Sequence, residues 1–450
     1  MSLNLGRFFR ACNPRYTLNI SKPEDRQYYI DFAPVRGSNV IRELKRTITF
    51  SDHQPTCQLF TGHIGCGKST ELSRLKTELE AEKFHVVYFE SSQDLDMADV
   101  DISDILLAIA RQVSQSLENS GVCLQPKRFQ GILKSAANLL NTEITSFRSN
   151  IPVVGDIGVS QDSEGFSLAF GIGEITAKAK DSRDVRSLLR QHLEPRVNNI
   201  IEVINQELIT PAQQQLQQRG QGGLVVIIDN LDRIDNKAKF GIRTQPEYLF
   251  VDRGEQLNKL LCHVIYTIPL ILTFSNDKEA VSNRFGSPAK LLPMVRVKER
   301  DGSDCEPGIN LLRQMVLARA FPELNETERL REIPKLFDST STLDYLCQMS
   351  GGHVRNLLIL LFNCLQKDDP PFTRTMIERV ISERRNELGK AITSDEWELL
   401  RQVSQQKTVR GEEEYQTLLR SLFVFEYCDH DGSWFDLNPV LEGAKDFDKD

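Results

Sequence analysis

CQLFTGHIGCGKSTELSRL, residues 57–75, decides how the rest of the chain is read. An apolar run comes first, then Gly62 and Gly67 five residues apart, then Lys68-Ser69-Thr70 and a row of leucines. Residues 62–69 satisfy G-x-x-x-x-G-K-[ST], and the spacing places them between a predicted strand and a predicted helix. Backbone N–H groups of Gly62, His63, Ile64, Gly65, Cys66 and Gly67 can close around phosphate, and the positive end of the following helix adds to their pull. Lys68 supplies a cation to the outer phosphates and Ser69 a hydroxyl to Mg²⁺, with Thr70 completing the set expected to bind nucleotide. Cys66 reads either as a redox brake, since a helix N-terminus lowers a thiol's pKa, or as a small tolerated side chain.

Working outward, the stretch ending VRGSNVIRELKRTITF before residue 51 has mostly helical spacing. FHVVYFESS (84–92) is a β-rich run, and ISDILLAIARQVSQSL puts Ile102, Ile105, Leu106, Ile109, Val113 and Leu117 on one helical face. That alternation implies an α/β fold built on a doubly wound parallel sheet. Residues of about 120–221 depart from it. Their Gly, Asp and Ser punctuation suggests a hairpin-like segment near 150–180; Asp156, Asp162, Glu164 and Glu174 break it too often for a membrane hairpin. RDVRSLLRQHLEPRVNNIIEVINQELI then predicts a long amphipathic helix kinked near Pro195.

GGLVVIIDNLDRI is a buried-strand run that ends in acid. A carboxylate in that position is costly without a cation, so Asp229 is expected to hold Mg²⁺ together with Ser69. Asn230 stands where many ATP hydrolases of related architecture carry a glutamate that activates water, leaving Asp232 as the expected base, or as a residue behind the metal's ligands, with slow hydrolysis. IPLILTFSND reads as a further strand with Thr273, Ser275 and Asn276 at its polar end, where Asn276 would sense the γ-phosphate; a strand that simply ends in polar residues is the alternative. Arg284 reads as an arginine finger or as a surface arginine. Arg355, beginning an apolar helix after two glycines in SGGHVRNLLILL, is expected to reach the phosphates.

The chain has 450 residues, 40% of them hydrophobic, which is enough for two or three domains with their own cores. A net charge of -8 excludes a surface that is basic all over. Nine scattered cysteines without a C-x-x-C pair read as reduced thiols. With no apolar run of spanning length and no signal-peptide core at the N-terminus, a cytoplasmic protein without membrane attachment is expected.

Taken in order, these segments resemble the AAA+ and STAND branch of P-loop ATPases. VRG…VIRELKRTI resembles the family's leading segment, with Arg36-Gly37 in place of its usual Gly-Arg order, followed by Walker A, IIDNLDRI as Walker B, the sensor-1 strand, GGHVRNL as sensor 2, and a terminal winged helix. The chain is similar especially to bacterial ATP-binding proteins with GKSTEL and DNLDR signatures and to KAP-like ATPases, which share D-x-L-D-R. The resemblance implies a P-loop NTPase core over 1–300 with an insertion at about 120–221, a helical lid over 301–390 and a winged-helix module over 391–450. It also implies ATP and Mg²⁺ as cofactors and slow ATP hydrolysis. The expected role is a nucleotide-dependent switch in bacterial signalling or defence, one that engages a protein partner or self-assembles. The alternative is a DNA-acting ATPase whose winged helix reads a duplex; three glutamates in GEEEYQTLLRSL oppose phosphate contact there. A metabolic kinase would have no use for the C-terminal third.

Overall fold

The computed structural model describes residues 3–51, 54–122, 124, 126–147, 168–241, 243–444 and 447. Five parallel strands form the central sheet: β1 (Cys57–Thr61), β2 (Phe84–Glu90), β3 (Gly223–Asp229), β6 (His263–Thr267) and β7 (Lys290–Leu291), in the order β2-β3-β6-β1-β7. A two-stranded ribbon, β4 (Ala238–Phe240) and β5 (Arg243–Thr244), interrupts the chain between β3 and β6. Side chains alternate along each strand. On one face Leu59, Val87, Phe89, Leu224, Val226, Ile228, Val264 and Tyr266 join the largest apolar cluster. On the other, Phe60, Val86, Val225, Ile227 and Ile265 build a second. Burial on both faces explains why β3 is a continuous apolar run rather than an alternating one.

The second face is covered by α1 (Val40–Thr49), capped by the Asn39 side chain, and by α2 (Lys68–Ala81), which starts directly from the glycine loop. The first face is covered by α3 (Ile102–Asn119), started by an Asp101–Asp104 capping box, and by helices of the insertion. These are α4 (Lys127–Phe147), α5 (Leu168–Asp181), α6 (Arg183–Leu193), α7 (Val197–Ile204) and α8 (Thr210–Gln218). The kink expected at Pro195 is present as a 3₁₀ turn over Glu194–Arg196.

Two expectations are corrected. The hairpin-like segment near 150–180 is helix α5 from Leu168 onward; Leu168, Ile172, Ile175 and Ala179 share one buried face, and that period outweighs the glycine punctuation. Its part before Leu168 lies outside the described residues. IPLILTFSND is not a strand: β6 ends at Thr267, and Leu270–Thr273 is a 3₁₀ turn. Pro269 has no N–H to give to a ladder, and Leu270 and Leu272 are buried by the turn instead.

After α9 (Lys278–Phe285) the chain becomes helical with α10 (Glu306–Ala320), α11 (Thr340–Met349), α12 (Val354–Lys367) and α13 (Arg374–Gly389). Their apolar cluster also takes in Phe8, Cys12, Phe32 and Val35 from the N-terminal stretch. The last elements are α14 (Ser394–Gln406), α15 (Glu413–Arg420) and an antiparallel hairpin, β8 (Val424–Asp429) and β9 (Gly432–Leu437), turning at Asp429-His430-Asp431-Gly432. The hairpin has two buried faces. Val424, Phe435 and Leu437 pack with Trp397, Leu400 and Leu418 of α14 and α15. Phe425, Tyr427 and Trp434 belong to the second cluster of the central sheet. Among the described residues no helix is long and apolar enough to cross a membrane.

Candidate nucleotide site

β1 and α2 hold the glycine loop between them, and Gly67 at φ +109° makes the turn into the helix, a backbone conformation that a side chain would strain. The Lys68 ammonium is buried. It donates to the carbonyls of Gly62 at 2.7 Å and His63 at 2.8 Å and pairs with Asp232 at 2.9 Å. Burial opposes its charge most strongly, but Asp232 together with Cys66 and Asp229 keeps the ammonium above its ordinary pKa.

Asp229, at the end of β3, is 1% exposed. Its Oδ2 accepts from the Tyr88 hydroxyl at 2.8 Å and its Oδ1 from the Asn230 N–H at 2.7 Å; the Ser69 side chain hydrogen-bonds it as well. Burial, and then the charge of Asp232, raise its carboxyl, while those three donors work the other way. A buried carboxylate touching a serine hydroxyl is a pair of hard oxygen donors, and a cation between them would relieve the burial penalty. Ser69 and Asp229 therefore fit Mg²⁺.

Ile64, Gly65, Gly67, Lys68, Ser69, Thr70, Asp232 and Arg355 line one cavity, together with Asn230, Arg233 and Tyr16. Burial and the neighbouring Arg233 guanidinium hold Arg355 below its ordinary pKa, as expected for two cations facing a space suited to an anion. Gly62 and His63 line a second cavity on the far side of Asp232. A third adjoins Thr70 and is walled by Tyr16, Tyr28, Tyr29, Phe32, Arg36 and Glu71.

Other expected residues fall elsewhere. Cys66 is 1% exposed and packs with Phe60 and Leu72 in the apolar cluster, so its thiol is shielded from oxidants. Asn276 is exposed beyond the 3₁₀ turn, and Arg284 lies on α9 against Gly254; neither lines the cavities beside the loop. The polar group at the true end of β6 is Thr267, whose hydroxyl donates to the Ile228 carbonyl at 3.3 Å and accepts from the Leu231 N–H at 3.0 Å. It braces the turn that presents Asp232.

Sequence reading also missed the residues that tie the loop to distant parts of the chain. Arg36, 2% exposed, donates to the Cys66 carbonyl at 2.8 Å and to the Pro293 carbonyl. His353 Nδ1 accepts from the Asn356 N–H at 2.9 Å and so caps α12, which leaves Nε2–H to donate to the Ile64 carbonyl at 2.8 Å. The Arg355 N–H reaches the Gly65 carbonyl at 3.3 Å. His63 turns away from the phosphate side: its Nε2 accepts from the Glu426 N–H of β8 at 3.0 Å. Its Nδ1–H looks toward the Leu419 carbonyl without good hydrogen-bond geometry. The available signal was the polarity of His63 and His353, an unusual choice in stretches this apolar.

Residues 38–242 match the family described as the KAP family P-loop domain. The match spans less than half of the 450 residues and includes the glycine loop, Asp229 and Asp232. The sequence matches none of the curated proteins. Among solved structures the chain is similar to a Walker-type ATPase of Pyrococcus abyssi at 13% identity, with 96% of this chain and 98% of that one covered and a TM-score of 0.41. It is also similar to the ORC2 protein of Aeropyrum pernix in ADPNP–ADP complexes, at 11% identity, 97% and 95% coverage and a TM-score of 0.42. The Aeropyrum pernix ORC1 protein in complex with DNA is similar at 11% identity, 96% and 94% coverage and a TM-score of 0.38.

Proposed function

We propose that this KAP-like P-loop ATPase is a slow, nucleotide-dependent conformational switch. The observation that carries the reading is the set of bonds leaving the loop. Ile64 and Gly65 are held by His353 and Arg355 at the start of α12, and His63 holds the backbone of β8. A phosphate that draws Lys68 and the loop N–H groups toward itself must strain or remake those bonds, and the outer units must respond. In this reading α10–α13 serve as the lid and α14–α15 with the hairpin as a winged-helix module. ATP places its base in the tyrosine-walled cavity beside Thr70 and its phosphates along Lys68 and Arg355. Mg²⁺, when bound, neutralises phosphate charge at Ser69 and Asp229. Asp232, near the phosphate end, accepts a proton from the attacking water, and the absence of a glutamate at position 230 keeps turnover slow.

The partner or self-association surface would be exposed by one nucleotide state. Duplex reading by the winged helix has less support: its hairpin is packed into the sheet's second cluster, and α15 opens with Glu413 and Glu414. Hydrogen exchange in ATP and in ADP tests the switch. Exchange in β8, β9 and α12 should differ between the two nucleotides in the wild type and not in Lys68→Ala. Identical exchange with both nucleotides in the wild type would sink the proposal.

A further inference from the structure

The cavity on the far side of Asp232 is walled by four segments, one of them the turn after β6 at residues 269–271. Gly62, His63 and Ile64 come from the loop, Asp232 and Arg233 from the turn after β3, and Leu419 and Arg420 from the end of α15. It shares Ile64, Asp232 and Arg233 with the cavity that contains Lys68 and Arg355. A phosphate chain running past Lys68 therefore ends toward the cavity that Arg420 borders.

Charge points the same way. Arg420 is exposed and has no ion pair or side-chain hydrogen bond among the described residues, whereas Arg186, Arg190, Arg253, Arg300 and Arg313 all pair with carboxylates. Arg233 is likewise exposed, with no ion pair or side-chain hydrogen bond among the described residues. The end of α15 is also held in place. His63 bonds the adjacent β8, Phe274 from the turn after β6 packs edge-on against Phe435 at 5.7 Å, and Leu418 and Leu419 are buried. Two unpaired guanidiniums on a fixed frame beside the loop form a site for an anionic oxygen group.

We propose that Arg420, together with Arg233, contacts the terminal phosphate of the bound nucleoside triphosphate. The C-terminal unit then tells triphosphate from diphosphate within its own chain. This rests on the nucleotide reading above and adds its sensor: the arginine that distinguishes the two nucleotides comes from α15 and not from a neighbouring copy. A helix C-terminus also favours a cation on dipole grounds alone, and that role would be indifferent to which nucleotide is bound.

Calorimetric titration with a non-hydrolysable ATP analogue and with ADP, both with Mg²⁺, decides between the two roles. The proteins are the wild type, Arg420→Ala, Arg420→Lys and Lys68→Ala. Arg420→Ala should weaken the triphosphate on the order of tenfold and leave ADP unchanged, with partial recovery in Arg420→Lys. Turnover per molecule should not depend on protein concentration. Equal weakening of both nucleotides, an unchanged ratio, or turnover that rises with concentration would overturn the proposal. If the wild type binds neither nucleotide, or Lys68→Ala binds both as the wild type does, the nucleotide reading falls and this proposal with it.

Discussion

Asp232 holds the Lys68 ammonium at 2.9 Å, so an arriving phosphate must compete with a carboxylate for it. Asp232→Asn removes that competitor and the base together. Nucleotide affinity should rise while hydrolysis falls on the order of a hundredfold; a variant that turns over at the wild-type rate would refute the base. His63 gives a second prediction. Burial, then the charges of His353 and Lys68, depress its pKa to about 3, and His353 lies at about 4. In the unfolded chain an imidazole takes up its proton near 6.5, so both histidines withdraw stability as pH falls from there toward 4. Glu426, raised to about 7 by burial, acts in the opposite sense and withdraws stability as pH rises from 4.5 through 7. His63→Gln keeps an acceptor for the Glu426 N–H but cannot be charged. Its melting temperature should drop less than that of the wild type between pH 6.5 and 4.5, and parallel curves would rule the coupling out. Lys68, Ser69 and Asp229 were legible because their spacing along the chain is itself the motif. Tyr88, Arg36 and Thr267 were not, because each acts across a strand or a loop that sequence distance hides.

At the scale of elements, the stretch between β2 and α3 is laced to the insertion by charge. Arg190 on α6 pairs with Asp99 at 2.7 Å and with Asp104 at 2.5 Å, and Arg186 pairs with Asp96. Removing Arg190 strips the Asp104 carboxylate of its cation, while Asp99 keeps Lys239 at 3.1 Å. Arg190→Ala should cost about 2 kcal/mol, discounted from the 3–5 kcal/mol typical of fully buried pairs because Asp99 is partly exposed. Urea denaturation measures it, and a loss under about 0.5 kcal/mol would make the lacing ornamental. The period of α3 and the kink at Pro195 could be read directly. The turn at Leu270–Thr273 could not, since a short apolar run carries no period, and the proline that decided it was outweighed by its apolar neighbours.

For the whole molecule the hairpin matters most, because its two buried faces make it a wall shared by the C-terminal unit and the sheet. Trp434, 1% exposed, stacks on Tyr427 with ring centroids 4.6 Å apart inside the sheet's second cluster. Trp434→Ala should cost about 3 kcal/mol or more, and the loss should appear in unfolding of the sheet as well as of α14 and α15. Calorimetry of the wild type should show those elements melting in one transition; a separate, earlier melting of the C-terminal unit would contradict the shared wall. By itself the sequence determined the parallel α/β core, the glycine loop, the acid at the end of β3 and the helix–helix–hairpin order of the last sixty residues, because each is written in periods and spacings local to the chain. Only the tertiary structure decided the strand order, the burial of the hairpin's second face, the bonding of His63 and His353 to opposite sides of the loop, and the place of Arg420 beside it. Those contacts join residues hundreds of positions apart, and no local pattern records which surfaces meet when the separate elements pack.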